Sequence, residues 1–479
     1  MRMDLLLDEI RPAQVIGDPS KVQISSVELD SRQVLPGSLF CCLPGELTDG
    51  HEYAGDALER GAVGLLAERA LELAVPQAIV SPGEGRAAMA RVAAAFYGHP
   101  AERLLTVGVT GTNGKTTVTH LVSDILASSG RLVEVLGTLE GVRTTPEAPA
   151  LQRRMAEACQ TGKEAFVMEV SSHGLVQHRV DGFAFDVATF TNLGHDHLDY
   201  HGTMERYFEA KASLFTPEHA RLGVVDVTGE WGQRLASCAP VPLVSFSILD
   251  ASDVELTRHG TCFTWRSHRV RTRLVGMFNV SNTLAAMVSC AELGIPLDEV
   301  VAGMEMARGV PGRFELVGSD EDFSVVVDYA HTPDGIGVAL AAARQVAGDH
   351  RVLLVFGCGG DRDHAKRPLM GAAAVAGADR VVLTTDNPRS EDPSAIAAEV
   401  LAGVEDRASL TLELDRARAI ELAIAEALPG DVVLVAGKGH ETTMEVAGRV
   451  LPFDDREVVR GILDSRHPSA GRPGRGRQA

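Results

Sequence analysis

Short runs of aliphatic and β-branched residues alternate with amphipathic helical segments along most of the chain. Apolar runs separated by helical periodicity are typical of βα units, in which helices cover parallel strands. The runs are residues 104–109, 165–170, 186–190, 222–226, 324–329, 351–356, 380–385 and 431–436. The pattern predicts an α/β protein with two mostly parallel, helix-covered sheets.

Two breaks divide this pattern. Gly98-His99-Pro100 ends a first region of short strands and an Ala-rich helix, and residues 308–312 (RGVPG) end the second region. A length of 479 residues favours roughly three domains. We therefore predict a smaller amino-terminal α/β domain at 1–100, a central P-loop sheet domain at 101–310, a Rossmann-like domain at 311–465 and a disordered basic tail at 466–479.

Composition narrows the possible partners and compartment. The chain has 45 Lys and Arg against 65 Asp and Glu, a formal charge of −20, which disfavours binding to nucleic acid and anionic membranes. Its seven cysteines form no CxxC pair, as expected of a reduced cytoplasmic protein. No apolar run approaches the ~18 residues needed to cross a bilayer. We expect a cytoplasmic protein without membrane insertion that acts as a monomer.

Residues 111–117 (GTNGKTT) follow an apolar run and open a predicted helix at 115–129. In that position the backbone N–H groups and the helix dipole can bind phosphates. Lys115 would reach the β- and γ-phosphates and Thr116 would bind Mg²⁺, although Val109 stands where the general P-loop has glycine. The expected ATP contacts here are Gly111, Thr112, Asn113, Gly114, Lys115, Thr116 and Thr117. The alternative is an ordinary glycine-rich turn.

Two charged residues occupy unusual positions. Glu169 closes an apolar run, where open α/β sheets bind ligands, and its carboxylate suits Mg²⁺; the alternative is a solvated strand end. Lys211 lies on the apolar stripe of a predicted helix at 204–215. The charge of a lysine at this position must be compensated. Periodicity alone favours a side chain whose aliphatic part packs on the core while its ammonium group reaches water.

The loop GTNGKTT resembles that of the Mur ligase family, ATP-dependent enzymes that form amide bonds in peptidoglycan precursors. The similarity extends over nearly the whole chain through motifs in the same order. They are LDSR at 29–32, MEVSSHGLVQHRV at 168–180, TNLGHDHLDYHGT at 191–203, YFEAKASLF at 207–215, DYAHTPD at 328–334, GCGGDRDHAKRP at 357–368, DNPR at 386–389 and GKGHE at 437–441.

This resemblance implies a reaction. The γ-phosphate of ATP would pass to the γ-carboxylate of D-Glu in UDP-MurNAc-L-Ala-D-Glu, and an amine of meso-diaminopimelate would displace phosphate from the resulting acyl phosphate. The first domain would bind the UDP-substrate, the second ATP and the third the amino acid. The DNPR motif resembles the diaminopimelate type rather than the lysine type.

The resemblance also implies roles for particular residues. The expected catalytic residues are Lys115, Glu169, His197 and Lys211, and the expected ligands of two Mg²⁺ are Thr116, Glu169, His197 and Lys211, the last carbamoylated by CO₂ to N6-carboxylysine. Further expected ATP contacts are Asn279, Asn282, Arg313, Asp328 and His331. Expected UDP-substrate contacts are Leu29, Ser31, Thr144, Thr145, Ser171, Gln177 and Arg179. Expected amino-acid contacts are Arg362, Asp386, Asn387, Pro388, Arg389, Gly437 and Glu441.

Several alternatives stay open at the level of sequence. Zinc is disfavoured at the histidine-rich region 173–201 because no cysteine accompanies the histidines. The segment between Gly137 and Thr144 is shorter than in many relatives, which leaves the substrate contacts of that loop undetermined. Rival functions are a Mur-like ligase that adds L-lysine or acts on another carboxylate, a folylpolyglutamate synthase, and a P-loop nucleotide switch.

Overall fold

The computed structural model describes residues 1–45, 48–139, 143–318 and 321–466. Residues 467–479 of the predicted tail and 140–142 of the shortened loop lie outside the described residues. The chain divides into two compact units. Unit 1 is Met1–Leu193, Tyr200–Ser247 and Leu284–Gly303, and unit 2 is Gly194–Asp199, Ile248–Thr283 and Met304–Ala479. No helix within the described ranges has the length and hydropathy to cross a membrane.

Two sheets are formed by the part of unit 1 that the structure describes. The strands of the first are β1 (Gln14–Ile16), β2 (Ser26–Glu28), β3 (Ser38–Cys42), β4 (Gly64–Ala67) and β5 (Gln77–Ile79). Their order is β1-β5-β4-β3-β2, and only β1 runs antiparallel to its neighbour. The strands of the second are β6 (Leu105–Thr110), β7 (Val133–Leu136), β8 (Ala165–Glu169), β9 (Phe185–Phe190), β10 (Ala220–Asp226) and β11 (Leu243–Phe246). All are parallel, in the order β11-β10-β9-β6-β8-β7.

The described residues of unit 2 form three sheets. A small antiparallel sheet comprises β12 (Ser252–Thr257), β13 (Gly260–Trp265) and β14 (His268–Thr272). The main sheet comprises β15 (Glu315–Leu316), β16 (Ser324–Asp328), β17 (Val352–Phe356), β18 (Arg380–Leu383), β19 (Leu410–Leu412) and β20 (Val432–Ala436). Its order is β15-β16-β20-β17-β18-β19, and only β15 is antiparallel. A hairpin of β21 (Thr443–Val446) and β22 (Arg449–Pro452) follows.

Helices separate these strands, as the periodicity predicts. In chain order they are α1 (Met3–Leu7), α2 (Ala54–Glu59), α3 (Gly85–Phe96), α4 (Lys115–Ser128), α5 (Ala148–Gln160), α6 (Ser172–Val176), α7 (Leu198–His201), α8 (Met204–Ala212), α9 (Glu230–Cys238), α10 (Met277–Glu292), α11 (Leu297–Met306), α12 (Pro333–Ala347), α13 (Lys366–Gly377), α14 (Pro393–Leu401), α15 (Arg416–Glu426) and α16 (Asp455–Arg466). The helix predicted at 204–215 begins where expected, since Thr203 caps α8 by accepting from the Arg206 amide, but its last three residues form a 3₁₀ turn.

Each parallel sheet is the centre of a hydrophobic core. All residues of β8, β17 and β20 are buried, as expected of strands covered on both faces. In unit 2 a fully buried ion pair joins Arg416 of α15 to Asp455 of α16 through two bonds of 2.7 Å. The same guanidinium donates to the carbonyls of Thr385 and Ala436, just past β18 and at the end of β20. Removing one partner of such a pair typically costs about 3–5 kcal/mol, so it fixes both helices at this edge of the sheet.

Candidate active site

The phosphate loop begins where β6 ends and is fixed to the segment that follows β9. Gly111 has φ +149, and a Cβ added there would lie 1.9 Å from Thr191 Oγ1, so the position accepts only glycine. Thr191 Oγ1 donates to the carbonyl of Asn113 at 2.6 Å. Asn192 bonds both the amide and the carbonyl of Asn113, at 2.9 and 3.1 Å. These contacts hold the loop in one conformation.

Helix α4 begins at Lys115, directly after Gly114 with φ +86. The Lys115 ammonium donates to the carbonyls of Gly111 and Thr112, at 2.9 and 2.8 Å. The ammonium therefore lies over the loop at the amino terminus of a helix, where the helix dipole also attracts anions. This arrangement suits the binding of a polyphosphate.

Glu169 is the last residue of β8 and is 1% exposed, so the alternative of a solvated strand end is wrong. Its Oε1 accepts from the Thr116 hydroxyl at 3.0 Å and from the Thr138 amide at 2.8 Å. Gly137 packs against it, because an added Cβ would lie 2.4 Å from Glu169 Oε1. The carboxylate is therefore held beside the first turn of α4.

The Thr116 and Glu169 oxygens fit the needs of Mg²⁺, which is usually held by one or two carboxylates together with phosphate oxygens and water. In the described ranges no group of three or more His, Cys, Asp or Glu residues is arranged to hold a metal by itself. The pair instead suits a cation that arrives with a nucleotide.

Lys211 of α8 is 1% exposed, so the alternative in which its ammonium reaches water is wrong. Its Nζ donates to the Gly111 carbonyl at 2.8 Å and lies 4.8 Å from the centre of the Tyr207 ring. Tyr207 OH is in turn 3.1 Å from Thr112 Oγ1. The lysine on the apolar stripe thus lies directly under the phosphate loop.

Five of the seven residues predicted to bind the UDP-substrate meet at the same edge of the sheet. Thr145 Oγ1 donates to the Glu169 carbonyl at 3.0 Å and accepts from the Ser171 amide at 2.9 Å. Arg179 donates to the Thr145 carbonyl at 2.8 Å and to Gln177 Oε1 at 2.5 Å. Thr144 is attached less directly, through a contact of its hydroxyl with that of Thr138 at 3.1 Å.

The two remaining UDP-substrate residues, Leu29 and Ser31, line a separate cavity of about 960 Å³ within unit 1. Five arginines also line it: Arg32, Arg60, Arg86, Arg143 and Arg153. An open space with several guanidinium groups suits a ligand with phosphates. Thr144, Thr145, Ser171, Gln177 and Arg179 are not among its lining residues.

The other predicted ATP contacts lie in unit 2. Asp328, at the end of β16, accepts from the amides of Phe314 and Ala330 at 2.7 and 2.8 Å. Desolvation raises the pKa of Asp328, which the nearby Arg313 guanidinium opposes. That guanidinium lies 4.4 Å from the centre of the Tyr329 ring, so Arg313 is not a loose surface residue.

Two buried asparagines and one histidine complete this set. Asn282 donates to Asn279 Oδ1 at 3.0 Å, and Asn279 donates to the Val275 carbonyl at 2.9 Å. The Nδ1 atom of His331 lies 2.8 Å from the carbonyl oxygen of Tyr329. His197, a predicted metal ligand, also belongs to unit 2. Its backbone has φ +54, and its Nε2 atom lies 3.5 Å from Asp196 Oδ2. The predicted metal ligands are therefore divided between the two units.

The loops after β18 and β20 bring most of the predicted amino-acid contacts together. Asn387 donates through Nδ2 to Glu441 Oε2 at 2.7 Å, and Gly437 has φ +114 with Asp386 Oδ2 2.5 Å from an added Cβ. Arg389 has φ +51 and donates to the Gly360 carbonyl at 2.7 Å. Pro388 is buried and Arg362 is exposed.

Sequence reasoning overlooked several residues that support these sites. Thr138 contacts Glu169, and Tyr207 contacts Thr112. Asn192 fixes the phosphate loop, and Lys438 donates a hydrogen bond to Glu441. Tyr207, Asn192 and Lys438 lie in motifs that the sequence displays, whereas Thr138 lies outside them, and none of the four stands in an unusual position. Only their contacts identify them.

Three family models match the sequence: the Mur ligase family catalytic domain at 23–107, the Mur ligase middle domain at 109–290 and the Mur ligase glutamate ligase domain at 312–439. The chain belongs to the Mur ligase family.

This Mur ligase is 43% identical over 496 residues to the UDP-N-acetylmuramoyl-L-alanyl-D-glutamate–2,6-diaminopimelate ligase of Geobacillus thermodenitrificans, covering 97% of this chain and 100% of the relative. It is 31% identical to a solved ligase of the same name, with a TM-score of 0.69 and coverage of 98% and 99% of the two chains. The MurF ligase of Thermotoga maritima, solved in complex with ADP, shares the fold at 22% identity, with a TM-score of 0.63 and coverage of 92% and 98%.

The predicted family and the three-domain α/β fold of this Mur ligase are confirmed. The comparisons do not test the predicted domain boundaries or the roles of the site residues. Those assignments stay predictions.

The contact between Gly111 and Thr191 generates a test of the phosphate loop. Gly111→Ala forces the loop away from Thr191, and because such overpacking costs ~1–3 kcal/mol we expect ATP affinity to fall roughly tenfold or more. Gly130→Ala is the matched control. Gly130 follows helix α4, as Gly111 precedes it, and also has positive φ, but no atom lies within 4 Å of a Cβ added at Gly130. Isothermal titration with Mg-ATP measures both variants, and equal affinities would contradict the loop's role.

Proposed function

We propose that this Mur ligase uses ATP to join meso-diaminopimelate to the γ-carboxylate of D-Glu in UDP-MurNAc-L-Ala-D-Glu, acting in the cytoplasm as a monomer. One observation carries the proposal. Glu169 bonds the Thr116 hydroxyl of the phosphate loop through its side chain and the Thr145 hydroxyl of the substrate segment through its carbonyl. The nucleotide and the acceptor carboxylate would therefore meet at the end of β8.

The chemistry follows from the need to activate a carboxylate, which is a poor electrophile. The D-Glu γ-carboxylate oxygen attacks the γ-phosphorus of ATP, the bond to the β-phosphate oxygen breaks, and ADP leaves. The amine then attacks the acyl carbon, the C–O bond breaks, and inorganic phosphate leaves as the amide forms and the amine loses a proton. Lys115, over the phosphate loop, would neutralise charge on the transferring group.

The residues around the loop suit the bound metal ions. Thr116 and Glu169 of unit 1 would hold one Mg²⁺, and carbamoylated Lys211 of the same unit would contribute to a second. When bound, these ions supply positive charge that stabilises the transferring phosphoryl group. The Lys211 ammonium would first lose one proton, and the neutral amine would then form an N–C bond with CO₂ and lose a second proton. The two losses together convert a buried cation into an anion next to Gly111.

The third substrate would bind between the loops after β18 and β20. Diaminopimelate has a distal carboxylate as well as a distal ammonium. Arg389 would contact that carboxylate, and Glu441 would accept from the ammonium. The Geobacillus relative is named a 2,6-diaminopimelate ligase, which supports this choice over L-lysine.

The deciding experiment measures phosphate release by the purified enzyme with Mg-ATP. We expect release only when UDP-MurNAc-L-Ala-D-Glu and meso-diaminopimelate are both present, with an amide product detected by mass spectrometry. L-lysine in place of diaminopimelate tests the alternative amino acid, and a folate substrate with glutamate tests folylpolyglutamate synthesis. Phosphate release from ATP alone at the full rate would favour a nucleotide switch and contradict the proposal.

Arg389→Ala should remove the preference for diaminopimelate over lysine. A charge-assisted bond of ~1.5–3 kcal/mol corresponds to a roughly ten- to hundredfold loss of selectivity. The ratio of kcat/KM for the two amino acids measures it. Arg449→Ala, which removes an exposed arginine of β22 in the same unit, should leave the ratio unchanged. Unaltered selectivity in Arg389→Ala would refute the assignment.

Lys211→Arg should be nearly inactive, because a guanidinium cannot form the carbamate. Lys211→Ala should be partly rescued by short carboxylic acids such as formate or acetate, which can occupy the vacated space with a carboxylate. Lys163→Ala is the control, since Lys163 also donates to a backbone carbonyl, that of Val133 at 2.9 Å. Phosphate release with and without added acid distinguishes them, and failure of rescue would count against the carbamate.

A further inference from the structure

The GKGHE motif contains a buried lysine that the proposed reaction does not use. Lys438 directly follows Gly437 after β20, and its side chain is 0% exposed. A buried ammonium is costly unless hydrogen bonds and a negative charge compensate it. The hydrogen-bond partners of Lys438 therefore indicate its role.

Lys438 Nζ has three acceptors within unit 2. It donates to Glu441 Oε2 at 2.9 Å, to the Thr443 carbonyl at 2.6 Å and to Asn387 Oδ1 at 3.3 Å. An ammonium has three N–H groups, so these acceptors match its full donor capacity. The lysine thus joins the loop after β18, the loop after β20 and the start of β21.

These bonds also determine the side-chain orientation of Asn387 and Glu441, two residues predicted to contact the amino acid. Asn387 Oδ1 accepts from both Lys438 and the Glu445 amide, at 3.3 and 3.0 Å, which turns Nδ2 of the same amide toward Glu441. Glu441 Oε2 then accepts from Lys438 Nζ and Asn387 Nδ2, at 2.9 and 2.7 Å. Two donors on one oxygen fix the orientation of the carboxylate.

The other oxygen of Glu441 remains available. Across residues 321–466, no donor is hydrogen-bonded to Glu441 Oε1, and the side chain is 30% exposed. An oxygen without a donor, on a partly exposed carboxylate whose other oxygen is fixed, can accept from an incoming ammonium without reorganisation. Such an oxygen suits the positively charged amine of an amino acid.

We propose that Lys438 is a positioning residue for amino-acid selection, which orients Glu441 and Asn387 so that Glu441 Oε1 presents to the distal ammonium of the incoming diamino acid. This inference rests on the proposed function and deepens it. The glycines on both sides make the placement possible. Gly437 and Gly439 have φ +114 and +51, and a Cβ on Gly439 would lie 2.6 Å from the Gly312 carbonyl.

The test separates amino-acid binding from the other two substrates. Lys438→Met removes the ammonium with little change of side-chain length, and we expect KM for diaminopimelate to rise about ten- to hundredfold. The values of KM for Mg-ATP and for the UDP-substrate should change by less than about threefold, because the residues proposed to contact these two substrates lie in other segments. Steady-state phosphate release measures all three.

Arg351→Met is the matched control for a structural effect. Arg351 pairs with buried Asp431 at 2.6 Å, before β17 and β20, at the opposite edge of the same sheet. We expect it to lower the thermal unfolding temperature while leaving KM for diaminopimelate unchanged. If Lys438→Met raised all three KM values in parallel, or left KM for diaminopimelate unchanged, the proposal would be overturned.

A double variant tests whether Lys438 acts through Glu441. Glu441→Gln should itself raise KM for diaminopimelate, and Lys438→Met combined with Glu441→Gln should raise it by much less than the product of the two single effects. Independent, multiplied effects would overturn the proposal.

If Lys438→Met does not fold, Lys438→Arg provides the second variant. It keeps the charge but moves the donors, so KM for diaminopimelate should still rise relative to Arg351→Met, and an unchanged value would overturn the proposal. The wild-type enzyme is assayed first. No amide product with diaminopimelate defeats the proposed function, whereas an active wild type with an unaffected lysine variant defeats only this inference.

Discussion

The parallel pairing of β6, β8 and β9 is the constraint on which the candidate active site of unit 1 depends. Val109 of β6 pairs with Glu169 of β8, and Thr110 pairs with Phe190 of β9. Because the three strands run in the same direction and end together, the phosphate loop, the acidic residue and the Thr191 segment must emerge side by side. The hydrogen bonds among them follow from that register.

Buried charge is concentrated at such strand ends in both units. Glu169 and Lys211 lie beside the phosphate loop, and Lys438 and the Arg416–Asp455 pair lie at the ends of β18 and β20. Each is satisfied by hydrogen bonds to loop backbone or to an opposite charge, as burial requires. The charges therefore serve to hold the loops, and the loops carry the groups proposed to contact substrates.

Glycine residues allow loop backbone and neighbouring side chains to approach each other closely in unit 1. At Gly111 a side chain would overlap Thr191, and at Gly137 it would overlap the Glu169 carboxylate. A bulkier residue at either position would separate groups that must stay within hydrogen-bond distance. Close approach of backbone to side chain thus fixes the geometry as much as any attractive contact does.

The sequence by itself determined the α/β class, the family and the positions of most strands and helices, because apolar periodicity, glycine-rich turns and long motifs are local signals. It also identified Glu169 and Lys211 as anomalies. It could not decide whether Lys211 reaches water or lies under the phosphate loop, nor identify Thr138, Tyr207 or Lys438 as supports. Those contacts join residues such as Lys211 and Gly111, 100 positions apart, and only the packing of strands and helices brings such groups within bonding distance.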